Sequence, residues 1–328
     1  MSAVARVSVV MSVHNGARYL SEALASIIGQ SYSDFEFLVI DDGSTDATAQ
    51  MLAAVNDPRV RVIRQQRAGL TSSLITGVAL AQGEYVARQD ADDLSRPQRL
   101  GRQVGFLDSH PDVAIVGSAV TAIDEAGRRL CDWSYPQDNG ALRAELGRLL
   151  TPLPHSTFMF RRAAVLAVGG YRAIFRKAQD YDLLLRLAQG HRLACLPEKL
   201  CCLRLAAGSV TSSAEESEQF YFAAMALMAA LIRERTGRDP LDGPDRDRVI
   251  ARFQSWYRNS VFSRRFHSRL ARRQVRIALG QRRLLTALTC LARATAEDPA
   301  WLVERWWKRS RELAQVAAWV RSEIGQEV

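Results

Sequence analysis

Cysteine is scarce in this 328-residue chain, with five residues, Cys131, Cys195, Cys201, Cys202 and Cys290, and no C-x-x-C spacing among them. An odd set so spaced argues against a disulfide framework and against paired-cysteine zinc or redox motifs, and reads as reduced, mostly buried thiols. Long apolar runs are also missing. The longest, Phe220 to Ile232, falls short of the ~18 residues that a membrane span needs and reads as a buried helix. The start, MSAVARVSVV, lacks the basic, apolar and cleavage regions of a secretory signal, so the expected location is the cytoplasm. Neither G-x-G-x-x-G nor G-x-x-x-x-G-K-[ST] follows any predicted strand, which speaks against a dinucleotide Rossmann site and a P-loop.

What is present is positive charge, unevenly placed. The formal net charge is +9, yet residues 251–328 hold 16 Lys and Arg against 6 Asp and Glu, leaving residues 1–250 near neutral. A basic terminal region predicts an anionic partner.

Residues 1–125 alternate strand-like and helical runs. Strands are expected at 7–13, 35–40, 60–63, 84–87 and 113–123, with helices at 18–28, 47–55, 71–81 and 98–109 between them. That alternation implies βαβ units and a mainly parallel sheet, whose ligands bind where strands end and loops leave for the helices. Polar clusters sit at three such ends: SVHNG, DDGSTD and RQDADD. From Ser212 the texture changes. Ser213 and Glu216 form a capping box, Gly237 is a stop, a short linker spans 239–244, and the remainder reads as helical, with Leu313, Val316, Ala317 and Val320 on one face. The expected division is 1–211, with about 1–125 binding the nucleotide and 126–211 the acceptor, then 212–328 as a helical basic region.

The DADD cluster puts three carboxylates, Asp90, Asp92 and Asp93, within four positions. Two carboxylates one residue apart suit Mg²⁺ or Mn²⁺, hard cations that complete their shell with substrate phosphates. An isolated D-x-D is more often a helix cap, and Asp92 or Asp93 would cap the helix near Pro97, but one cap leaves two carboxylates unexplained. Asp42 in DDGSTD is either part of a capped turn or an acceptor for a base or ribose. His14 is either a turn residue or a ring for stacking on a base. Asp180 and Asp182 open an amphipathic helix, where a cap is again the plain alternative. His155 alone is more often a structural histidine than a ligand.

Taken together, VSVVMSVHNGARYLSEALASIIGQSYSDFEFLVIDDGSTD, GEYVARQDADDLSRPQRLGRQVGFL and AQDYDLLLRL resemble the family 2 glycosyltransferases over about residues 7–205. They look most like the bacterial branch that builds O-antigen, capsule or exopolysaccharide. The resemblance implies a GT-A fold, an α/β nucleotide-binding sheet flanked by helices, here with a helical C-terminal extension. It implies an inverting transfer from a nucleotide sugar, UDP-sugar favoured, to a hydroxyl of a glycan or lipid-linked saccharide, with Mn²⁺ or Mg²⁺. Carried over by motif, Ser12, His14, Asn15, Asp41, Asp42, Arg67 and Asp90 would hold the nucleotide, Asp92 the metal, and Asp180 would be the base. Arg88, His155 and Gln179 would stand near phosphates or acceptor, with Arg88 and His155 as positive or hydrogen-bonding contacts.

The pattern departs from the family at three places: His14 where tyrosine is common, Ile75 where asparagine is common, and Gln179 in place of the glutamate usual before the base. The last removes a charge next to Asp180. The tail combines arginine and tryptophan, as in RRFHSRLARRQVR and WLVERWWKRSR, and suits either an anionic membrane face or a packed helical subdomain. Peripheral attachment to the inner face of the cytoplasmic membrane follows from the first. Nucleic acid is not an expected partner, and an oligomer is compatible with the pattern. Two other functions fit parts of the pattern: a sugar nucleotidyltransferase, and a non-catalytic subunit with the same fold that binds membrane or polysaccharide.

Overall fold

The computed structural model describes residues 4–205 and 213–260, and of 213–216 the backbone only. The chain divides into two compact units, Met1–Val210 and Thr211–Val328.

The first unit begins with β1 (Val7–Val13), α1 (Leu20–Ile28), β2 (Phe35–Asp42), α2 (Thr48–Ala53), β3 (Val60–Gln65) and α3 (Leu70–Leu80). Then come β4 (Tyr85–Asp90), a short β5 (Leu94–Ser95), α4 (Arg99–Ser109), β6 (Val113–Ile123), β7 (Arg129–Trp133) and α5 (Asn139–Leu146). A 3₁₀ turn (His155–Thr157), β8 (Met159–Arg161), α6 (Arg162–Ala167), α7 (Gln179–Gly190) and β9 (Arg192–Arg204) complete it.

One sheet runs in the order β3-β2-β1-β4-β8-β6-β9-β5, with β7 added on β6. The first four strands in that order are parallel, as are β6 and β9, whereas β4/β8, β8/β6, β6/β7 and β9/β5 are antiparallel. The expectation of a mainly parallel sheet therefore holds for the βαβ half and gives way to a mixed sheet beyond β4. Connection length accounts for one of these pairs: a tight turn joins β6 to β7 antiparallel, whereas the crossover through α3 sets β4 parallel to the strands before it; β8 and β5 instead enter antiparallel from distant parts of the chain.

Both faces of the parallel half are covered, so its strands read as continuous apolar runs. Val7, Val9, Val10, Met11 and Val13 of β1 are at most 2% exposed. Leu20, Ala23, Leu24 and Ile27 of α1 repeat at i, i+3, i+4, i+7 and bury against the sheet. On the other face α3 lies so close that a Cβ on Gly77 would fall 2.3 Å from Val10 Cγ1, which leaves room for glycine alone.

In the second unit α8 (Ser213–Thr236) ends at Gly237, whose φ of 72° is the left-handed stop the sequence predicts. A second helix, α9 (Arg246–Asn259), packs its Phe253 and Tyr257 rings against Tyr221, with centroids 5.7 and 5.1 Å away. Among the described residues no helix is long and apolar enough to cross a membrane. The capping-box side chains of Ser213 and Glu216, the face at 313–320 and the arginine and tryptophan clusters lie outside the described residues.

Candidate active site

Parallel register brings three strand ends to one edge: Ser12 of β1 sits opposite Ile40 of β2 on one side and Asp90 of β4 on the other, and Val13 opposite Asp41. β2 and β4 each run past their predicted ends, so Asp41, Asp42 and Asp90 are terminal strand residues and not loop residues. His14 follows β1, and its Nδ1 lies 2.9 Å from the Asp42 carbonyl. Gly43, with φ of 69°, lets the 67–69 segment close over this edge, since a Cβ there would meet the Arg67 nitrogen at 2.8 Å. Arg67 itself is exposed.

Several of the expected nucleotide residues have their polar atoms committed to the chain. Asp42 is 3% exposed, with Oδ1 accepting from Gln65 Nε2 (2.7 Å) and the Ala68 amide (2.8 Å) and Oδ2 from the Gly69 amide (2.8 Å). Burial alone would raise its pKa, but these bonds outweigh burial and hold it below the usual carboxylate range. Asp41 accepts from the Ser44 amide, and Asn15, at φ 51°, accepts from the Thr45 amide at 2.8 Å. These three shape the loops around the edge. Ser12 and His14 are half-buried there.

The DADD carboxylates cap nothing. α4 starts after Gln98 without a side-chain cap, and β5 intervenes. Asp93, 6% exposed, accepts from the Arg204 amide at 2.8 Å. Asp92 is exposed, and its carboxylate accepts no hydrogen bond or ion pair from another of the described residues.

Arg88 is expected near the phosphates, and in the fold its charge is spent within the chain. Residues 88 and 90 of one strand share a face, so the Arg88 guanidinium, 2% exposed, turns inward and ion-pairs with Asp90. Of the two contacts expected of His155, positive or hydrogen-bonding, its surroundings favour the second. Burial and the nearby Arg88 charge push its pKa well below the usual histidine value, so the imidazole is neutral and offers a hydrogen bond without positive charge. Its Nε2 is 2.8 Å from the Tyr171 hydroxyl.

Asp180 lies in the first turn of α7, which opens from Ala178 in the left-handed conformation (φ 55°) with no side-chain cap. It is therefore not the N-cap. Asp182 is not one either: it is 1% exposed and shared by Arg172 and Arg186. Gln179 is 6% exposed and brings no charge beside Asp180.

A cavity of about 470 Å³ collects Asp90, Asp92, Asp93, His155, Asp180 and Arg204, with Tyr135, Leu153 and Leu205 on an apolar side. Its carboxylates strain against one another. Although one side of Asp92 is open to solvent, the protein mass around it, then Asp90, raises its pKa; burial with Asp90 and Asp92 pushes Asp93 up to about 7; burial raises Asp180, against the pull of the α7 N-terminal amides and Arg88. Such a pocket favours a cation. Among the described residues no three His, Cys, Asp or Glu side chains converge on a metal position. An ion here would rest on Asp92 and on oxygens that the protein does not supply.

The family model for glycosyl transferase family 2 matches residues 8–169. EpsE of Bacillus subtilis is 37% identical over 62% of this chain and 74% of its own length. This chain belongs to glycosyltransferase family 2. The amylovoran biosynthesis glycosyltransferase AmsE of Erwinia amylovora is 30% identical over 62% of the chain and 76% of AmsE. Among solved structures, residues 1–349 of TarS from S. aureus, in complex with UDP-GlcNAc, superpose with a TM-score of 0.60 at 16% identity, covering 92% of this chain and 93% of that one. That likeness gives the fold, a GT-A-like mixed sheet with a helical C-terminal region.

For a family 2 glycosyltransferase, the site contains residues that sequence reasoning missed. Tyr171, Arg172 and Arg186 buttress the loop and helix around Asp180, and Arg204 reaches the DADD segment from β9. The available signal was a basic residue ending the apolar strand CCLRL and a tyrosine inside the GGYR turn.

Proposed function

We propose that this glycosyltransferase inverts configuration as it moves a sugar from a UDP-sugar to a hydroxyl of a growing cell-surface glycan. The observation that carries the reading is the placement of half-buried Asp180 and the unspent carboxylate of Asp92 in one cavity. The chemistry needs two separated functions there. Asp180 takes the proton of the acceptor hydroxyl while that oxygen bonds to the anomeric carbon; the bond from that carbon to the diphosphate oxygen breaks on the opposite face, its electron pair leaving with UDP. Asp92 would hold Mn²⁺ or Mg²⁺ against the diphosphate, and the ion, when bound, offsets the charge that develops on the leaving group. Ser12, His14 and Arg67 flank the strand edge where the nucleoside would lie, with Asp42 shaping that edge, and Asp90, anchored by Arg88, would face the ribose. The 126–211 half would receive the acceptor, with Tyr135 and Leu153 offering an apolar wall beside the base.

UDP-GlcNAc in TarS supports a uridine donor, and the role of AmsE in amylovoran biosynthesis supports a polysaccharide product. Membership in the transferase family leaves no call for the nucleotidyltransferase or non-catalytic alternatives. The basic tail would bring the enzyme to the anionic inner face of the membrane, where lipid-linked acceptors are found.

The deciding experiment is calorimetry of UDP with and without Mn²⁺, on the wild type and Asp92→Asn. We expect Mn²⁺ to strengthen UDP binding in the wild type and to add nothing in the variant. UDP that fails to bind in either condition rules out the uridine donor. A proton NMR spectrum of the first-formed product then reads the anomeric configuration, and retention would sink the role given to Asp180.

A further inference from the structure

Arg204 closes β9, and its side chain is 1% exposed. A buried guanidinium is costly unless every donor finds a partner. Here each nitrogen does. Nε donates to the Asp92 carbonyl at 2.9 Å, one terminal nitrogen to the carbonyls of Asp124 (3.3 Å) and Glu125 (3.1 Å), and the other to Glu22 Oε2 on α1 at 2.7 Å. The plane stacks 4.4 Å above the Tyr19 ring, and the Arg204 backbone amide holds Asp93 Oδ1 at 2.8 Å.

The acidic segment is gripped from its other side as well. Gln89 Nε2 donates to the carbonyls of Asp90 (3.0 Å) and Asp93 (2.8 Å), and fully buried Arg99 donates to the Arg88 carbonyl at 2.6 Å and to Gln89 Oε1 at 2.9 Å. This core-side clamp skips Asp92. The carbonyl of Asp92 is held by Arg204, and the Asp92 carboxylate has no partner among the described residues to orient it. The direction of that carboxylate therefore depends on the peptide that Arg204 fixes.

We propose that Arg204 is a positioning residue that aims Asp92 at the diphosphate-bound cation, an inference that rests on the reading of Asp92 as the metal carboxylate. The planar fork explains the residue type: it reaches α1, the 124–125 turn and the Asp92 peptide at once, which the single ammonium of lysine does not. Glu22, by contrast, touches neither the site nor the acidic segment and acts only by anchoring one arm of Arg204.

The test is calorimetric titration of the full chain with UDP, in the absence and presence of Mn²⁺, for the wild type, Arg204→Lys and Glu22→Gln. Metal-free UDP affinity should stay at the wild-type value in both variants, because the strand edge that holds the nucleoside is untouched. The gain in affinity conferred by Mn²⁺ should fall about tenfold to a hundredfold in Arg204→Lys, the range typical of lost support behind a metal ligand. Glu22→Gln should lose part of that gain. A wild-type Mn²⁺ gain in Arg204→Lys overturns the proposal, as does an equal loss of metal-free affinity, which would mark Arg204 as a structural staple only. If Arg204→Lys does not fold, Glu22→Gln decides alone: a reduced Mn²⁺ gain supports the role, and an unchanged one overturns it. Absence of any Mn²⁺ gain in the wild type removes the metal reading of Asp92 and the proposal with it.

Discussion

Arg88 is a cation in a place where a protein core has no ordinary use for one. It is 2% exposed, it pairs with Asp90 two positions along the same strand face, and its Nε finds no hydrogen-bond partner among the described residues. Its charge acts outward on three neighbours: it adds to burial in lowering the pKa of His155, and it opposes burial at Tyr171 and Asp180, both of which stay raised. The consequence for catalysis has a definite sign. The base role proposed for Asp180 requires the ionised carboxylate, and its pKa is raised, first by burial and further by Asp90. Transfer should therefore fail on acidification at a pH above the ordinary carboxylate range. Arg88→Met removes a charge that favours the carboxylate, so the acid limb of the kcat/KM profile should move to still higher pH; an unmoved limb shows that Arg88 serves the fold alone. Asp180→Asn should cut kcat by about 10² to 10⁴, the usual contribution of a general base, with UDP affinity unchanged.

Elements are held to the site by the same kind of buried pairing. Within α7, Asp182 accepts from Arg186 Nε at 3.0 Å and from Arg172 Nε at 3.1 Å, and Arg186 also bonds the carbonyls of Val168 and Gly170. This network ties the first turn of α7, with Asp180, to the 168–172 segment that carries Tyr171 and, through it, His155. Asp182→Ala removes the carboxylate that two arginines share in the interior and should cost about 3–5 kcal/mol, read as a lowered denaturant midpoint with an unchanged slope. A loss near zero would mean that the arginines are satisfied without it.

Much of the scaffold around this site was legible because its signals are local. The runs VSVVMSV and VAIVGSAVTAI are strands at the predicted residues, since a strand buried on both faces is mostly apolar and admits only small hydroxyl residues such as Ser8, Ser118 and Thr121. The ends of β2 and β4 were not legible. Asp41, Asp42, Arg88 and Asp90 look like loop residues to their neighbours in sequence, and only pairing with β1 and β3 keeps them in the ladder. The same limit explains the site. Motif order singled out Asp92 and Asp180, which line one cavity, but the inward turn of Arg88 and the reach of Arg204 over 112 residues to Asp92 depend on tertiary neighbours that no spacing records.

For the whole molecule the governing fact is charge segregation. A near-neutral 250-residue portion carries a C-terminal stretch of 16 basic against 6 acidic residues, most of it in 261–328, outside the described residues. Interspersed with Trp301, Trp306, Trp307 and Trp319, that stretch has the composition of a surface-binding segment and not of a spanning one. Each Lys or Arg at an anionic surface contributes about 1 kcal/mol, so even a fraction of the excess suffices for attachment if the charges share a face. The full chain should therefore co-sediment with phosphatidylglycerol vesicles at ~0.1 M salt and not with phosphatidylcholine vesicles. It should be released near ~1 M salt, where the Debye length falls to about 3 Å. Indifference to lipid charge would assign the basic residues to packing within the protein, and binding that survives high salt would assign attachment to tryptophan insertion, with electrostatics secondary.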